Sequence, residues 1–494
     1  MIRFFLCALA IIASLSTQAQ TKIAVLTDTH VMSPELLVND GTAWRNHLAS
    51  DRKLLDYSQE IYDVLIDKFL ADKPDMLLIT GDLTKDGEML SHQYVIAGLD
   101  RLREAGIAVY VIPGNHDRGT SNALVFDGDN TSKAEVANTE TFERLYHNYG
   151  YNSTSEREST TLTYACEPVK GLVLIGIDSG NSGSLSTTTL NWVCQQAEKA
   201  RNQGKQVIAM MHHPLFPHVN NLDKFTSSYC VKNYENVRNR LIDAGIRVIL
   251  TGHFHMSDIA KDYNAELTNY IYDVNTGSTI SYPCDYRVMT LSEDMKQLSI
   301  RTGHVTNLPS NEEFVNTAKT RLQNYAQKYA SSIISNEMFV NVLVSMITLH
   351  AEGTENKSSE ARSLIRLYDL GSYVLKNNAS LTAKLSARGL TWEDAEATMY
   401  SILEDKSSYG VEGREDQTND LRLTITMPDL QNPITLRGDI NRDGEINIVD
   451  VVILVNIILD KSLSYGYNME EADLDGNGVI NITDAISLLN IILG

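Results

Sequence analysis

The chain lacks the positive charge that a nucleic-acid scaffold requires. Lys and Arg number 42 against 63 Asp and Glu, for a net charge of −21 over 494 residues, whereas phosphate binding needs a basic face. It also lacks any Cys-x-x-Cys pair, which removes thiolate metal sites and dithiol redox motifs. Beyond residue 19 no segment is long and apolar enough to cross a bilayer as a helix.

Residues 1–19 read as a secretory signal. Arg3 supplies the positive start, Phe4 to Leu15 the apolar core, and Thr17-Gln18-Ala19 the small-x-small cleavage site. The expectation is a secreted, periplasmic or cell-surface protein. Export leaves Cys166, Cys194, Cys230 and Cys284, which could pair as disulfides in three full arrangements or remain as buried thiols. The length calls for two to four domains.

The first half repeats one pattern: an apolar run ends in a turn, and the turn carries Asp, Asn or His. Lys22 to Thr27 runs into Asp28-Thr29-His30, and Met76 to Thr80 runs into Gly81-Asp82. Ile107 to Ile112 runs into Pro113-Gly114-Asn115-His116-Asp117, Val207 to Met211 into His212-His213-Pro214, and Val248 to Leu250 into Gly252-His253-Phe254-His255. Amphipathic stretches at 51–71, 90–104 and 234–243 separate these strands, as in a parallel α/β sheet. Such sheets place their chemistry at the ends of strands. Carboxylate, amide oxygen and imidazole without thiolate suit Fe, Mn or Zn. Two such ions about 3.5–4 Å apart can clamp a phosphate and activate water.

The five blocks, in this order, resemble the calcineurin-like metallophosphoesterases over roughly residues 22–305. The resemblance implies a four-layer α/β/β/α sandwich and two divalent metals. Asp28, His30 and His255 would hold the first; Asn115, His212 and His253 the second; Asp82 would bridge both. His213 is either a substitute or a residue packed beneath the loop. A hydroxide bridging the metals would attack phosphorus. His116 would stabilise the phosphate and protonate the leaving oxygen, with Asp117 either orienting it or only capping the turn. Lys85 stands where purple acid phosphatases carry their colour-giving tyrosine, and the Asp-Arg of protein serine/threonine phosphatases is missing. Asp117 after Gly-Asn-His matches the cyclic-nucleotide and small phosphodiesterase branches. His218, Asn275 and Ser278 fall in segments expected to line the cleft.

After Gly303 strand runs cease. Residues 309–405 read as a helical subdomain, either a cap or a prop, and 406–436 mainly as linker with a strand at Leu421 to Met427. Residues 439–450 and 473–484 repeat a loop rich in oxygen ligands at an offset of 34. The first offers Asp439, Asn441, Asp443, Glu445, Asn447 and Asp450. The second offers Asp473, Asp475, Asn477, the Val479 position, Asn481 and Asp484. That spacing wraps Ca²⁺. A helix follows each loop, and the pair, over 437–494, resembles a type I dockerin. The resemblance implies two Ca²⁺ ions and a cohesin-bearing scaffold partner. Positions 10 and 11, often a Ser-Thr pair, are Ile448-Val449 and Ile482-Thr483, so the partner is not specified and a module folded against its own enzyme stays open.

The expectation is an exported phosphoesterase (domain 20–308) hydrolysing a phosphate ester, most naturally a diester. The alternatives are a monoesterase of the same fold and a weakly catalytic protein that binds phosphorylated ligands.

Overall fold

The computed structural model describes residues 20–225, 229–264, 269–355, 358–404, 419–428, 437–440, 446–459, 469–475 and 477–493. The signal expected at 1–19 lies outside them. Among the described residues sixteen strands occur, in chain order β1 (Thr21–Leu26), β2 (Leu37–Asn39), β3 (Met76–Ile79), β4 (Ala108–Val111), β5 (Leu124–Asp127), β6 (Asn130–Lys133), β7 (Glu156–Arg157), β8 (Tyr164–Val169), β9 (Leu172–Ile177), β10 (Gln206–Met211), β11 (Val248–Thr251), β12 (Asp258–Tyr263), β13 (Tyr270–Asn275), β14 (Asp285–Leu291), β15 (Gln297–His304) and β16 (Arg422–Thr426).

They form two large sheets, ordered β16-β15-β14-β1-β3-β4 and β12-β13-β11-β10-β9-β8-β7, and a small one, β2-β5-β6. β1, β3 and β4 run parallel, as do β9, β10, β11 and β13. The apolar runs of β3, β10 and β11 are buried on both faces, the pattern of a covered parallel sheet. One core joins the two sheets: Ile23, Val25 and Leu78 of the first with Leu174, Met210 and Leu250 of the second. Helices Ser58–Asp72 and Met89–Glu104 cover the first sheet, contributing Phe69 and Leu99 to that core. Helices Thr187–Asn202 and Tyr234–Asp243 cover the second, through Val193, Ala197 and Leu241. The order is α/β/β/α, and every strand end carrying a candidate ligand belongs to β1, β3, β4, β10 or β11.

One reading shifts. The amphipathic stretch 51–71 begins its α-helix only at Ser58, and a further helix, Thr42–Ser50, precedes it. The strand expected within the linker at Leu421 to Met427 forms as β16. β16 pairs antiparallel with β15 and buries Ile425, which is 1% exposed. Alternation of Leu423 and Ile425 with Arg422, Thr424 and Thr426 suits an edge strand with one covered face. The helices at Phe314–Ile333, Glu337–Glu352, Ser359–Lys376, Ala379–Ser386 and Trp392–Glu404 are therefore an excursion between two strands of one sheet. They carry a core of their own around Phe339, Met346 and Leu403. Residues 405–418 and 429–436 lie outside the described residues. All four cysteines of the described chain are free and buried. No helix among the described residues is long and apolar enough to cross a membrane.

Gly98 shows where packing overrides local preference. It lies inside helix Met89–Glu104, where Gly→Ala ordinarily stabilises by about 1 kcal/mol. A Cβ there would meet the Tyr62 ring at 2.6 Å. Gly98→Ala is expected to destabilise by roughly 1–3 kcal/mol, and a denaturant titration that found stabilisation would contradict the packing described.

Candidate metal centre

The seven expected ligands come from both sheets and meet at the strand ends. Asp28 and His30 leave β1, Asp82 follows β3, Asn115 follows β4, His212 follows β10, and His253 and His255 follow β11. Two sets of ligand atoms result, each with all members within 4.8 Å of one another: Asp28, His30, Asp82 and His255, and Asp82, His212 and His253. Asp82 belongs to both. Its Oδ2 lies 3.6 Å from His30 Nε2 on one side and 3.3 Å from His212 Nε2 on the other. Asn115 Oδ1 approaches His212 Nε2 at 3.0 Å and joins the second set.

In four of the seven, His212, His255, Asp28 and Asp82, the other atom is held by an outer partner, whereas His30 Nδ1 is buried without one. His212 Nδ1 donates to Thr80 O at 2.9 Å, and His255 Nδ1 lies 3.2 Å from Ser281 Oγ. Asp28 Oδ2 accepts from Thr27 Oγ1 at 2.6 Å and from the His253 amide at 2.8 Å. Asp82 Oδ1 accepts from the His116 amide at 2.7 Å. Outer partners of this kind fix ring orientation and leave the inner lone pairs directed at a metal. Asp28 Oδ1 is buried without a hydrogen-bond donor, 3.1 Å from His255 Nε2. The imidazole nitrogens of His30 and His255 face each other at 3.2 Å. A buried acceptor without a donor beside converging lone pairs fits a cation. Burial alone would raise the Asp82 carboxyl, yet the imidazoles around it, His212 foremost, hold it well below its ordinary value.

The backbone is unusual at these residues. Asp28, His30, Asp82, His253 and His255 all have φ between 37° and 70°, a region that non-glycine residues seldom adopt. Such strain persists only where surrounding structure over-determines it, and it clusters at functional sites. The glycines before the ligands permit close approach. A Cβ at Gly114 would lie 2.1 Å from Asp82 Oδ1, and one at Gly252 would lie 1.9 Å from Thr27 Oγ1.

Residues 21–257 match the family model of the calcineurin-like phosphoesterases, and 437–493 match that of the dockerin type I domain. Residues 21–257 form a calcineurin-like phosphoesterase domain. Among relatives, a probable glycerophosphodiester phosphodiesterase of Arcobacter nitrofigilis is 28% identical over 34% of this chain. The match spans only 54% of that relative's length. A probable cyclic nucleotide phosphodiesterase of Fibrobacter succinogenes is 26% identical over 47% of this chain and 72% of its own. Among solved structures, a dimetal phosphatase from Danio rerio aligns over 57% of this chain and 96% of its own, at 12% identity and a TM-score of 0.41.

Within the phosphoesterase domain, His116 lies beside the first ligand set, its ring centroid 4.9 Å from that of His30. The carboxylate that holds it is Asp86, not Asp117. His116 Nδ1 contacts Asp86 Oδ1 at 2.8 Å and Lys85 O at 3.0 Å. Asp117 points the other way. Its oxygens accept from the Thr84 amide and hydroxyl, both at 3.0 Å, and from the Gly114 amide at 2.8 Å. Burial foremost, with Asp82 nearby, raises its carboxyl to about 6. Asp117 thus ties the β3 loop to the β4 loop, which corrects the orienting role expected for it. Burial alone would lower His116, but the Asp82 and Asp86 carboxylates raise it. Lys85 pairs with Asp86 and lies 3.7 Å from Glu88.

Other residues sort as supports. Asn275 donates to Gly252 O at 2.7 Å, and Ser278 Oγ donates to Asp28 O at 2.7 Å. His218 is an ion-paired core residue, 3.4 Å from Asp258 and 3.1 Å from Asp273. His213 packs, with Nδ1 2.8 Å from Ser179 Oγ and its ring on His253. Arg52 Nη2 donates to the Phe254 carbonyl at 3.1 Å, between two ligands. His350, from helix Glu337–Glu352, lies against the Phe254 ring. The helical excursion thus touches the ligand loop as a prop.

In the tail, Asp473, Asp475 and Asp484 come together as a possible cation group. Asp450 and Asp484 are both fully buried and receive the Asn447 and Asn481 amides, each at 2.9 Å. Asn441, Asp443 and Glu445 lie outside the described residues.

Asp86→Asn is expected to lower kcat roughly 10- to 100-fold with little change in melting temperature. Asp117→Asn is expected to act chiefly on stability. Equal kcat losses in steady-state assays of the two folded variants would contradict this division.

Proposed function

We propose that the protein is an exported metal-dependent phosphoric ester hydrolase that cleaves phosphodiesters and is attached by its tail to a cohesin-type partner. The observation that carries this reading is the pair of ligand sets sharing the Asp82 carboxylate. Asp28, His30 and His255 would hold one cation, and Asn115, His212 and His253 the other, with Asp82 common to both. Divalent Fe, Mn or Zn ions, when bound, supply the charge that activates water and neutralises phosphate oxygens.

The chain's own residues supply the remainder. Asp28 and Asp82 are each fixed through one oxygen and present the other. His116 is anchored through Nδ1, which leaves Nε2 to donate a proton. Water oxygen bonds to phosphorus as the bond to the alcohol oxygen breaks. That oxygen takes the His116 proton, and the proton released by water returns through solvent. Two observations favour a diester over a monoester: the relatives above are named as phosphodiesterases, and an Asp follows Gly-Asn-His.

The tail would bind two Ca²⁺ ions through the loops at 439–450 and 473–484. Neutralising those carboxylates is required for the helices Ile448–Leu459 and Ile482–Leu493 to pack. Repeat-related apolar residues remain exposed on that pair of helices: Ile448 and Ile482 at 59% and 61%, and Val452 and Ile486 both at 53%. Such a patch suits a protein partner.

Asp82→Ala is expected to abolish hydrolysis of bis(4-nitrophenyl) phosphate while far-UV circular dichroism is preserved; retained turnover in the variant sinks the mechanism. Calorimetry on the full chain should resolve two Ca²⁺ sites. Chelation should remove hydrogen-exchange protection from the two tail helices alone, and protection indifferent to chelator would refute the calcium reading.

A further inference from the structure

A cavity of about 400 Å³ opens beside His116. One wall is the segment after helix Thr42–Ser50, with Asp51 and Lys53. The β5–β6 hairpin region contributes Asn122 and Lys133, and His116 and Asp86 also line the cavity. His116 Nδ1 is engaged by Asp86 and by the Lys85 carbonyl, and Nε2 has no partner among the described residues. The free nitrogen of the proton donor thus belongs to a residue lining this cavity. A departing alcohol that takes a proton there must place its remainder in the same space.

The lining indicates what that remainder is. Only Leu55 and Leu124 among the lining residues are apolar, and Leu55 is 2% exposed. Three lysines, Lys53, Lys85 and Lys133, line the cavity with two aspartates, in a chain whose net charge is −21. Lys85 is neutralised by Asp86. Lys53 pairs with Asp51 at 3.6 Å. Lys133 Nζ donates to the neutral Ser121 carbonyl and has no carboxylate partner among the described residues. An excess of cations in the wall of a cleft concentrates and orients anionic ligands.

We propose that this cavity is the subsite for the leaving alcohol, and that Lys53 and Lys133 select a hydrophilic alcohol bearing a second negative charge. The proposal rests on the hydrolase reading above. It specifies the substrate class as a phosphodiester whose departing arm is itself anionic, such as one ending in a further phosphate or a carboxylate.

The test uses methyl aryl phosphodiesters whose leaving phenols differ in charge, with each kcat/KM divided by the rate of alkaline hydrolysis of the same ester to remove differences in leaving-group acidity. One phenol carries a para-sulfonate and the other a para-trimethylammonium group, and methyl 4-nitrophenyl phosphate serves as the uncharged control. The native protein is expected to favour the sulfonate ester in kcat/KM by roughly tenfold at low salt, with the preference shrinking as salt rises. Lys133→Met and Lys53→Met should each reduce the ratio. The double variant should bring it near unity, and Lys133→Glu should invert it. A native ratio near unity, or a ratio that survives the double variant, overturns the subsite while leaving the hydrolase reading in place. No turnover of the uncharged control by the metal-loaded native protein would instead overturn the hydrolase reading, and the subsite with it.

Discussion

The arrangement depends on how closely the ends of strands from two sheets can approach one carboxylate. Asp82 must reach His30 on one side and His212 on the other through a single oxygen, while its second oxygen accepts from the His116 amide. That geometry is available only because Gly114 carries no Cβ, which would lie 2.1 Å from Asp82 Oδ1. It also requires Asp82 itself at φ 50°. The glycine lets the β4 loop lie against the β3 loop. The strained backbone turns the carboxylate between two imidazoles. Asp117 then ties the same two loops from the other side through Thr84 and Gly114. The residue that separates this chain from neighbouring branches by sequence is thus a strut of the metal centre.

Much of this was legible in the order of residues. Parallel strands whose ends carry ligands show as apolar runs closed by Gly-Asp, Gly-Asn-His or Gly-His, because strand burial and close approach leave distinct marks on composition. The ligand sets were legible through their likeness to a family. The partner of His116 was not. Asp86 and Asp117 are both acidic and both near His116 in space, and only the path of the backbone decides which carboxylate faces its ring. β16 was legible as a five-residue alternation, but its place at the edge of the first sheet depends on a pairing that spans the whole helical excursion. Pairing over such separations has no local signal. Nor did any sequence period reveal that Arg52 grips the carbonyl between His253 and His255.

The helical excursion and the tail stand in different relations to the centre. The excursion is bound into the catalytic fold. It begins after β15 and returns as β16, and through His350 it touches the loop bearing two ligands. Loss of its packing would therefore be felt at the metals. The tail keeps its own small core around Leu454, Ile457 and Leu488. Its buried Asp450 and Asp484 hold the turns before two helices in equivalent ways. The candidate ligand sets and the tail thus lie in units with separate cores.

The central claim is that one carboxylate joins two metal ions. Anomalous scattering from crystals of the protein loaded with Mn²⁺ or Zn²⁺ tests it directly. The account predicts two peaks about 3.5–4 Å apart, one within Asp28, His30, Asp82 and His255 and the other within Asp82, Asn115, His212 and His253, with Asp82 contacting both. A single peak at full loading, or two peaks that do not share Asp82, would contradict it.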